Sequence, residues 1–321
     1  MEYLPQNIIQ KMKKSSTFKQ MKSNYSLYVM LLLPLVYFIT FRYVPMTNIV
    51  VAFKDYSIFK GVWESPWAHT RGSLDIFKYF KEAFNSVEFL RVLRNTILLN
   101  FLDLAIGFFF PVMLAIMLNE ITFRKFKRFT QTVLYMPFFL SWIIIYGIAM
   151  QILAPETGLV NITLRNMGLG TIRFLDDRIM WIVTYVALGI WQSAGYNTIV
   201  YLAAITGINP ELYEASEVDG AGRLRKILHI TLPGIKPTIV VMLILNMGRL
   251  LQIGFDRPYA MQNPLVRSVA DVISTYVFRV GIQAQQLSLT TAIGFFQSVV
   301  CLIFLIAANF ITEKIGEQGI W

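Results

Sequence analysis

Hydrophobic residues run along this chain in long blocks, not in the alternating or every-third pattern of a soluble fold. The blocks cover roughly 26–51, 92–118, 130–153, 179–206, 237–252 and 288–311. All but the fifth, which is somewhat short, reach the ~20 residues that carry a helix across a hydrocarbon core. Lipid offers no partner for open backbone N–H and C=O groups, so continuous apolar runs of this length choose helices over strands. The expected fold is therefore an all-α polytopic membrane protein with six transmembrane helices and both ends on one side. The first block reads as a retained anchor. Its charged lead is long, and Arg42, Tyr43, Val44 and Pro45 stand where a signal peptide would carry small residues.

Between the blocks the pattern assigns a basic tail over 1–25, a mixed segment over 52–91 and a short tail over 313–321. The tail is expected in the cytoplasm, and 52–91 is expected to form an ordered periplasmic cap with short helices. Its Trp63 and Trp67 read as interfacial aromatics. One polar island, 209–233, separates the fourth and fifth blocks. Asn209 followed by Pro210 is a helix-start signal, and Glu211 and Glu214 complement the dipole of the first turns. Gly220 and Gly222 can end or bend that helix at Asp219. A basic and then apolar segment, 223–230, reads as a helix lying at the membrane surface, stopped by Pro233.

Composition supports the membrane reading. Of 321 residues 55% are hydrophobic and only 15% charged, where soluble domains average about a quarter. The net charge of +10 is spread between blocks, which fits a membrane surface better than a nucleic-acid footprint. A single cysteine, Cys301, permits no internal disulfide, and no metal-ligand spacing occurs. Lys and Arg counts give similar totals for the two sides. The dense basic runs at 11–22 and 124–128 favour a cytoplasmic N-terminus.

The island carries a resemblance. Glu214, Ala215, Asp219, Gly220 and Ala221, with Ile230, Leu232 and Pro233 following nine residues beyond, resemble the EAA loop of type I ABC importer permeases. Ser216 departs from the family's second alanine but is also small. PETGLVN at 155–161 and WQSAGYNTIVYLAAITGINPELYEASEVDGA at 191–221 are similar to carbohydrate-uptake permeases of the maltose-transporter type. NMGRLLQIGFDRPYAMQNPLVRSVADVISTYVFRVGI at 246–282 resembles the LplB-like subgroup, which includes the larger-type permease of bacterial alginate importers. The likeness covers about 25–312, with 92–312 as the permease core.

The resemblance implies a cytoplasmic coupling helix docked in a groove of an ATPase subunit through Glu211, Glu214, Ala215, Ser216, Asp219, Gly220 and Ala221. It places the N-terminus inside. It also implies a second, different permease subunit, two ATPase subunits that bind ATP and Mg, and a periplasmic binding protein that delivers an oligosaccharide. This chain has no phosphate-binding Gly loop with Lys and Ser/Thr, so it is expected to be a transport subunit with no cofactor of its own.

Polar residues inside the blocks are costly and so mark candidate pathway positions. Gln192 and Tyr196 share one helix face, and Ser193 with Asn197 form a second pair beside them. Asn246, Arg249 and Gln252 repeat at i, i+3, i+6. The substrate-pathway candidates are Gln192, Tyr196, Asn197, Asn246, Arg249 and Gln252. Arg249 has two readings: a planar fork for a uronate carboxylate, or a structural partner of Asp103 or a residue snorkelling to the interface. Asp103 itself reads as structural. Two other classes stand beside the importer. An ion-coupled secondary sugar transporter predicts inverted repeats and buried acids, of which only Asp103 is seen. A membrane enzyme needs clustered acids or histidines at the membrane face, and only 211–219 offers a cluster.

Overall fold

The structure is a computed structural model that describes residues 22–314 together with 316 and 319. Most of the tail at 1–25, and part of 313–321, lies outside the described residues. The chain divides into two compact units, Met1–Ile76 and Phe77–Trp321.

The first unit contains α1 (Tyr25–Phe53), one helix of 29 residues. Pro34 lies inside it, and a π turn follows at Ile39–Tyr43. Its large apolar side chains from Tyr25 to Met46 are exposed. A helix apolar on all faces and uncovered by its own unit is suited to lipid or to a partner helix. Beyond it Lys54 is only 5% exposed. Its Nζ donates to the carbonyls of Val62 and Trp63, both at 2.9 Å, and lies 5.9 and 5.4 Å from the rings of Trp63 and Trp67. The two indoles expected at an interface thus also hold a buried ammonium by cation–π attraction. A two-stranded hairpin, β1 (His69–Thr70) and β2 (Ser73–Leu74), completes the unit. Its turn residues Arg71 and Gly72 both have positive φ, as a type I′ turn requires.

The second unit runs α2 (Lys78–Asn85), α3 (Val87–Asn119), α4 (Arg124–Phe139), α5 (Trp142–Leu153), α6 (Leu159–Asn166) and α7 (Arg178–Thr206). It continues with α8 (Pro210–Val218), α9 (Arg223–Met247), α10 (Asp256–Met261), α11 (Arg267–Ala270), α12 (Ile273–Val277) and α13 (Leu287–Lys314). Three buried clusters follow α3 along its length. Phe89 and Val92 pack with Ile273, Tyr276 and Ile293. Leu99 packs with Trp181, Tyr185, Met261 and Val272. Val112 and Ala115 pack with Tyr201, Ile205 and Ile235. Because α3 and α7 supply two of these clusters jointly, they form the axis on which α9, α13 and the 256–283 segment are hung.

Three expectations change. The block at 130–153 is not one straight span: α4 and α5 meet at 103°. Pro137 removes a backbone donor, the chain tightens to a 3₁₀ turn over Met136–Phe139, and Ser141 Oγ accepts the N–H of Ile144 to start the next helix. Next, Pro233 does not stop a surface helix. Arg223–Met247 is continuous, and a π turn at Ile227–Thr231 widens the ladder just before Pro233, which opens the α-helical stretch Leu232–Met247, so the missing donor falls at the change of ladder. Finally, among the described residues four helices are long and apolar enough to cross a membrane, or five if the bent pair is one span. Helix α7 is 29 residues long, yet its polar run around Gln192, Ser193 and Asn197 keeps it outside that set.

Candidate functional site

Two regions carry chemistry, and they sit at opposite ends of α9. The first is α8 and its flanks. Asn209 Oδ1 accepts the N–H of Glu211 at 3.1 Å, and Pro210 opens the helix. At the other end the N–H of Ala221 reaches the carbonyl of Ser216 at 2.9 Å, and that of Gly220 reaches Glu217 at 3.0 Å. With φ of +71° at Gly220 this is a Schellman motif, so the glycine closes the helix by adopting the left-handed conformation that costs other residues energy. Ser216 donates to the carbonyl of Tyr213 at 2.7 Å, so its hydroxyl is satisfied within the helix. Two side-chain links tie α8 to the base of α9: Tyr213 OH with Thr231 Oγ1 at 2.9 Å, and Lys226 Nζ to Glu217 Oε1 at 2.6 Å. The Lys226 ammonium, by this hydrogen bond and its charge, holds the Glu217 carboxyl below its ordinary value. Glu211, Glu214, Ala215, Asp219 and Gly220 are exposed, and Ser216 and Ala221 are half-buried. Val218, 89% exposed, and Leu212, 53% exposed, give the loop an apolar surface uncovered within this chain.

The second region is a cavity of about 360 Å³ walled by α3, α7, the end of α9 and Arg257. Helix α9 ends at Met247, so Arg249 and Gln252 lie on the turn that follows and not on a continuing helix. Two amides hold this turn. Asn100 Nδ2 donates to the carbonyl of Leu250 at 2.6 Å, and Gln297 Nε2 donates to that of Leu251. Carbonyls released where a helix unwinds must find partners, and α3 and α13 provide them. Asn246, Arg249 and Gln252 line the cavity with Asn197 and Ser193 from α7. Arg249 is exposed there, and its guanidinium has no hydrogen bond or ion pair among the described residues.

Asp103 is not Arg249's partner. Arg257 takes it in a two-pronged pair, Nη1 to Oδ2 at 2.7 Å and Nη2 to Oδ1 at 3.2 Å. The same Nη2 also donates to the carbonyl of Tyr185. The guanidinium lies 3.6 Å from the Tyr185 ring and 5.1 Å from that of Trp142. A Cβ on Gly189 would overlap the guanidinium, so the absence of a side chain there makes the slot. Arg257 stands in the DRPYA stretch, and its role was missed because the contact spans 154 residues. A polar residue just past an apolar block, with an acid on another block, is the signal that points to it.

Gln192 and Tyr196 lie on a different face of α7 from the cavity. Gln192 Nε2 donates to the carbonyl of Phe138 at 3.3 Å, and the Tyr196 ring stacks on Phe138 at 3.9 Å. They brace the α4–α5 break. Gly195, between them, allows the backbone of Leu134 to approach where a Cβ would collide. Asn161, fully buried, donates to the carbonyls of Ala154 and Ile172 and accepts the N–H of Ile172, so it ties the loop around α6.

A family model described as the binding-protein-dependent transport system inner membrane component matches residues 107–317. The chain belongs to that family. It is therefore a permease subunit of an ATP-driven importer in the inner membrane, a transport component and not an enzyme, and the ion-coupled alternative is set aside. Over 295 residues it is 43% identical to the polygalacturonan/rhamnogalacturonan transport system permease protein YteP of Bacillus subtilis, covering 92% of this chain and 90% of that one. It is 42% identical to protein LplB of the same organism, covering 92% and 91%. The fold matches a crystal structure of a bacterial ABC transporter involved in the import of the acidic polysaccharide alginate, with a TM-score of 0.83 and 38% identity over 94% of this chain and 99% of that one. A second structure of an alginate importer, bound to a periplasmic protein carrying an alginate pentasaccharide, matches equally.

Proposed function

We propose that this permease passes acidic oligosaccharides through the cavity between α3, α7 and α9, with Arg249 receiving a uronate carboxylate. The observation that carries this reading is the division of labour between the two arginines. Arg257 is neutralised by Asp103, which leaves Arg249 as the uncompensated cation among amides. A planar guanidinium matches a carboxylate with two parallel bonds, and Asn197, Asn246 and Gln252 offer donors and acceptors for sugar hydroxyls. Gln192 and Tyr196 are then assigned to the α4–α5 brace. Polygalacturonan and alginate, named for two of the similar proteins, are both polyuronates, which supports the same class of substrate here.

In this reading six segments cross the membrane, with α7 lining the pathway and the N-terminus in the cytoplasm. The exposed Leu212 and Val218 dock α8 into an ATPase subunit. Two such subunits, binding ATP and Mg, and a second, different permease complete the importer, and a periplasmic binding protein delivers the sugar. Nucleotide then biases a two-state equilibrium between inward-facing and outward-facing forms.

The test uses the importer reconstituted in proteoliposomes with its ATPase and second permease. ATP hydrolysis is recorded with binding protein loaded with an oligouronate or with a neutral oligosaccharide. Uronate stimulation that falls roughly tenfold or more in Arg249→Ala is expected, the scale of one charge-assisted pair. Equal stimulation by both sugars, unaffected by the substitution, refutes the assignment.

A further inference from the structure

A second polar cavity, about 370 Å³, opens in the segment between α9 and α13. Its residues follow the C-terminal end of α9, whereas α8 precedes the N-terminal end of that helix, which is 25 residues or ~37 Å long at 1.5 Å per residue. Among its lining residues are Tyr259, Gln262, Arg267, Arg279 and Gln283, together with one carboxylate, Asp271. Their surroundings sort them. Arg279 is held on two sides, by Asp271 at 2.6 Å and Glu88 at 3.0 Å. Asp271 is itself 4% exposed and also accepts from Thr275 at 2.7 Å, so its charge is turned into the fold. Arg267 is exposed, and its guanidinium has no partner among the described residues; the same holds for the side-chain amides of Gln262 and Gln283. Tyr259 is 47% exposed yet fixed, its ring stacked on Phe255 at 4.5 Å and met edge-on by Phe278 at 5.7 Å.

A braced aromatic face, one uncompensated guanidinium and two idle amides suit a charged pyranose. The apolar face of the ring packs on the tyrosine, the carboxylate meets the arginine, and the amides take hydroxyls. The volume falls in the range of small-ligand sites, roughly 300–1,000 Å³. We infer that this cleft is a second, outer uronate-binding site, which holds one end of an acidic oligosaccharide outside the membrane before or during its entry into the central cavity. The inference rests on the acidic-substrate reading above, but it concerns different residues and stands or falls on its own measurement.

The measurement is equilibrium binding of radiolabelled trigalacturonate, with maltotriose as neutral control, to the complete nucleotide-free importer in nanodiscs without the binding protein. Trigalacturonate is expected to bind native protein and Arg249→Ala. Arg267→Gln and Tyr259→Ala are each expected to weaken that outer binding roughly tenfold or more, and Arg267→Lys to recover part of it. Arg267 is exposed and its guanidinium unpaired among the described residues, so its substitution leaves the fold intact. Tyr259→Ala, which takes one ring from a packed trio, is read beside a melting curve of the same protein. The inference is overturned if the two outer variants bind like native protein while Arg249→Ala abolishes binding, a result that leaves the central reading intact. It is overturned also if no trigalacturonate binds. If the outer variants keep trigalacturonate binding but lose stimulation of ATP hydrolysis by the binding protein, the cleft is a protein-docking surface. Equal binding of maltotriose refutes the acidic-substrate reading and the cleft together.

Discussion

The two ends of α9 solve different problems. At the α8 end, a structure is written by neighbours in sequence: Asn209 starts α8, Gly220 ends it, and Tyr213 and Glu217 reach residues 18 and 9 positions away. At the cavity end, an arginine from α10, an acid from α3 and a glycine from α7 share one slot. A local device can be altered with little effect on the rest of the unit. An assembled one cannot, because each member exists to complete the others. On the function proposed above, α8 is the part that moves, and the Asp103–Arg257 slot holds helices in register while cargo passes beside it.

The sharpest way to break this comparison is Arg257→Ala. It leaves Asp103 facing the cavity without its counter-charge and empties the slot at Gly189. Removing one member of a largely desolvated pair costs on the order of 3 kcal/mol. A fall of that size in unfolding free energy, or loss of the folded protein from membranes, is expected. Replacing the pair by Asp103→Leu with Arg257→Met should recover most of the loss, since packed apolar groups can substitute for an ion pair. If Arg257→Ala is as stable as native protein, the slot is not structural, and Arg257 joins Arg249 as a free cation of the cavity.

The same contrast explains what could be read from the residues alone. Helix caps, the Schellman glycine and the apolar blocks depend on a few adjacent positions, so the helical class, α8 and its boundaries follow from the sequence. Arg257 lies in a stretch whose likeness to other permeases is visible, but its partner lies on a distant helix, and Arg249 is nearer to Asp103 in the simple count of blocks. The break at Pro137 is half visible: proline announces a disturbance, but the 103° angle is met from α7 by Gln192 and Tyr196 on Phe138, contacts between residues more than 50 positions apart. Pro233 misleads for the opposite reason. A π turn upstream absorbs it, and a one-residue widening of the ladder leaves no periodic mark.

A smaller effect is expected from Gly220→Ala. The substitution forces a Cβ into the left-handed conformation at a cost of about 1 kcal/mol, yet nothing lies within 4 Å to collide with it. Global stability should change by no more than that amount. Substrate-stimulated ATP hydrolysis should fall several-fold relative to basal hydrolysis, because the geometry between α8 and α9 is disturbed. Equal loss of basal and stimulated hydrolysis would assign the glycine to assembly and not to coupling.

The smallest effect belongs to the Glu217–Lys226 pair, and its sign can be stated. The Lys226 ammonium lowers the Glu217 carboxyl from its ordinary value. A depressed carboxyl contributes stability above its unfolded value, and that contribution is lost as pH falls through the folded one. The pair is therefore intact across the range from about pH 5 to pH 8, and the clamp on α9 is not a pH switch there. Because Glu217 is an exposed carboxylate, salt and water screen the pair. Glu217→Gln should thus shift stimulated hydrolysis less than about threefold, by a factor that stays constant from about pH 8 to about pH 5. Melting curves of native and Glu217→Gln protein should converge only when the pH drops below the ordinary carboxylate range. A difference that grows or vanishes near neutral pH would mean that another group titrates at this joint, and Tyr213 with Thr231, which carries no charge, would be left as the link that transmits the motion of α8.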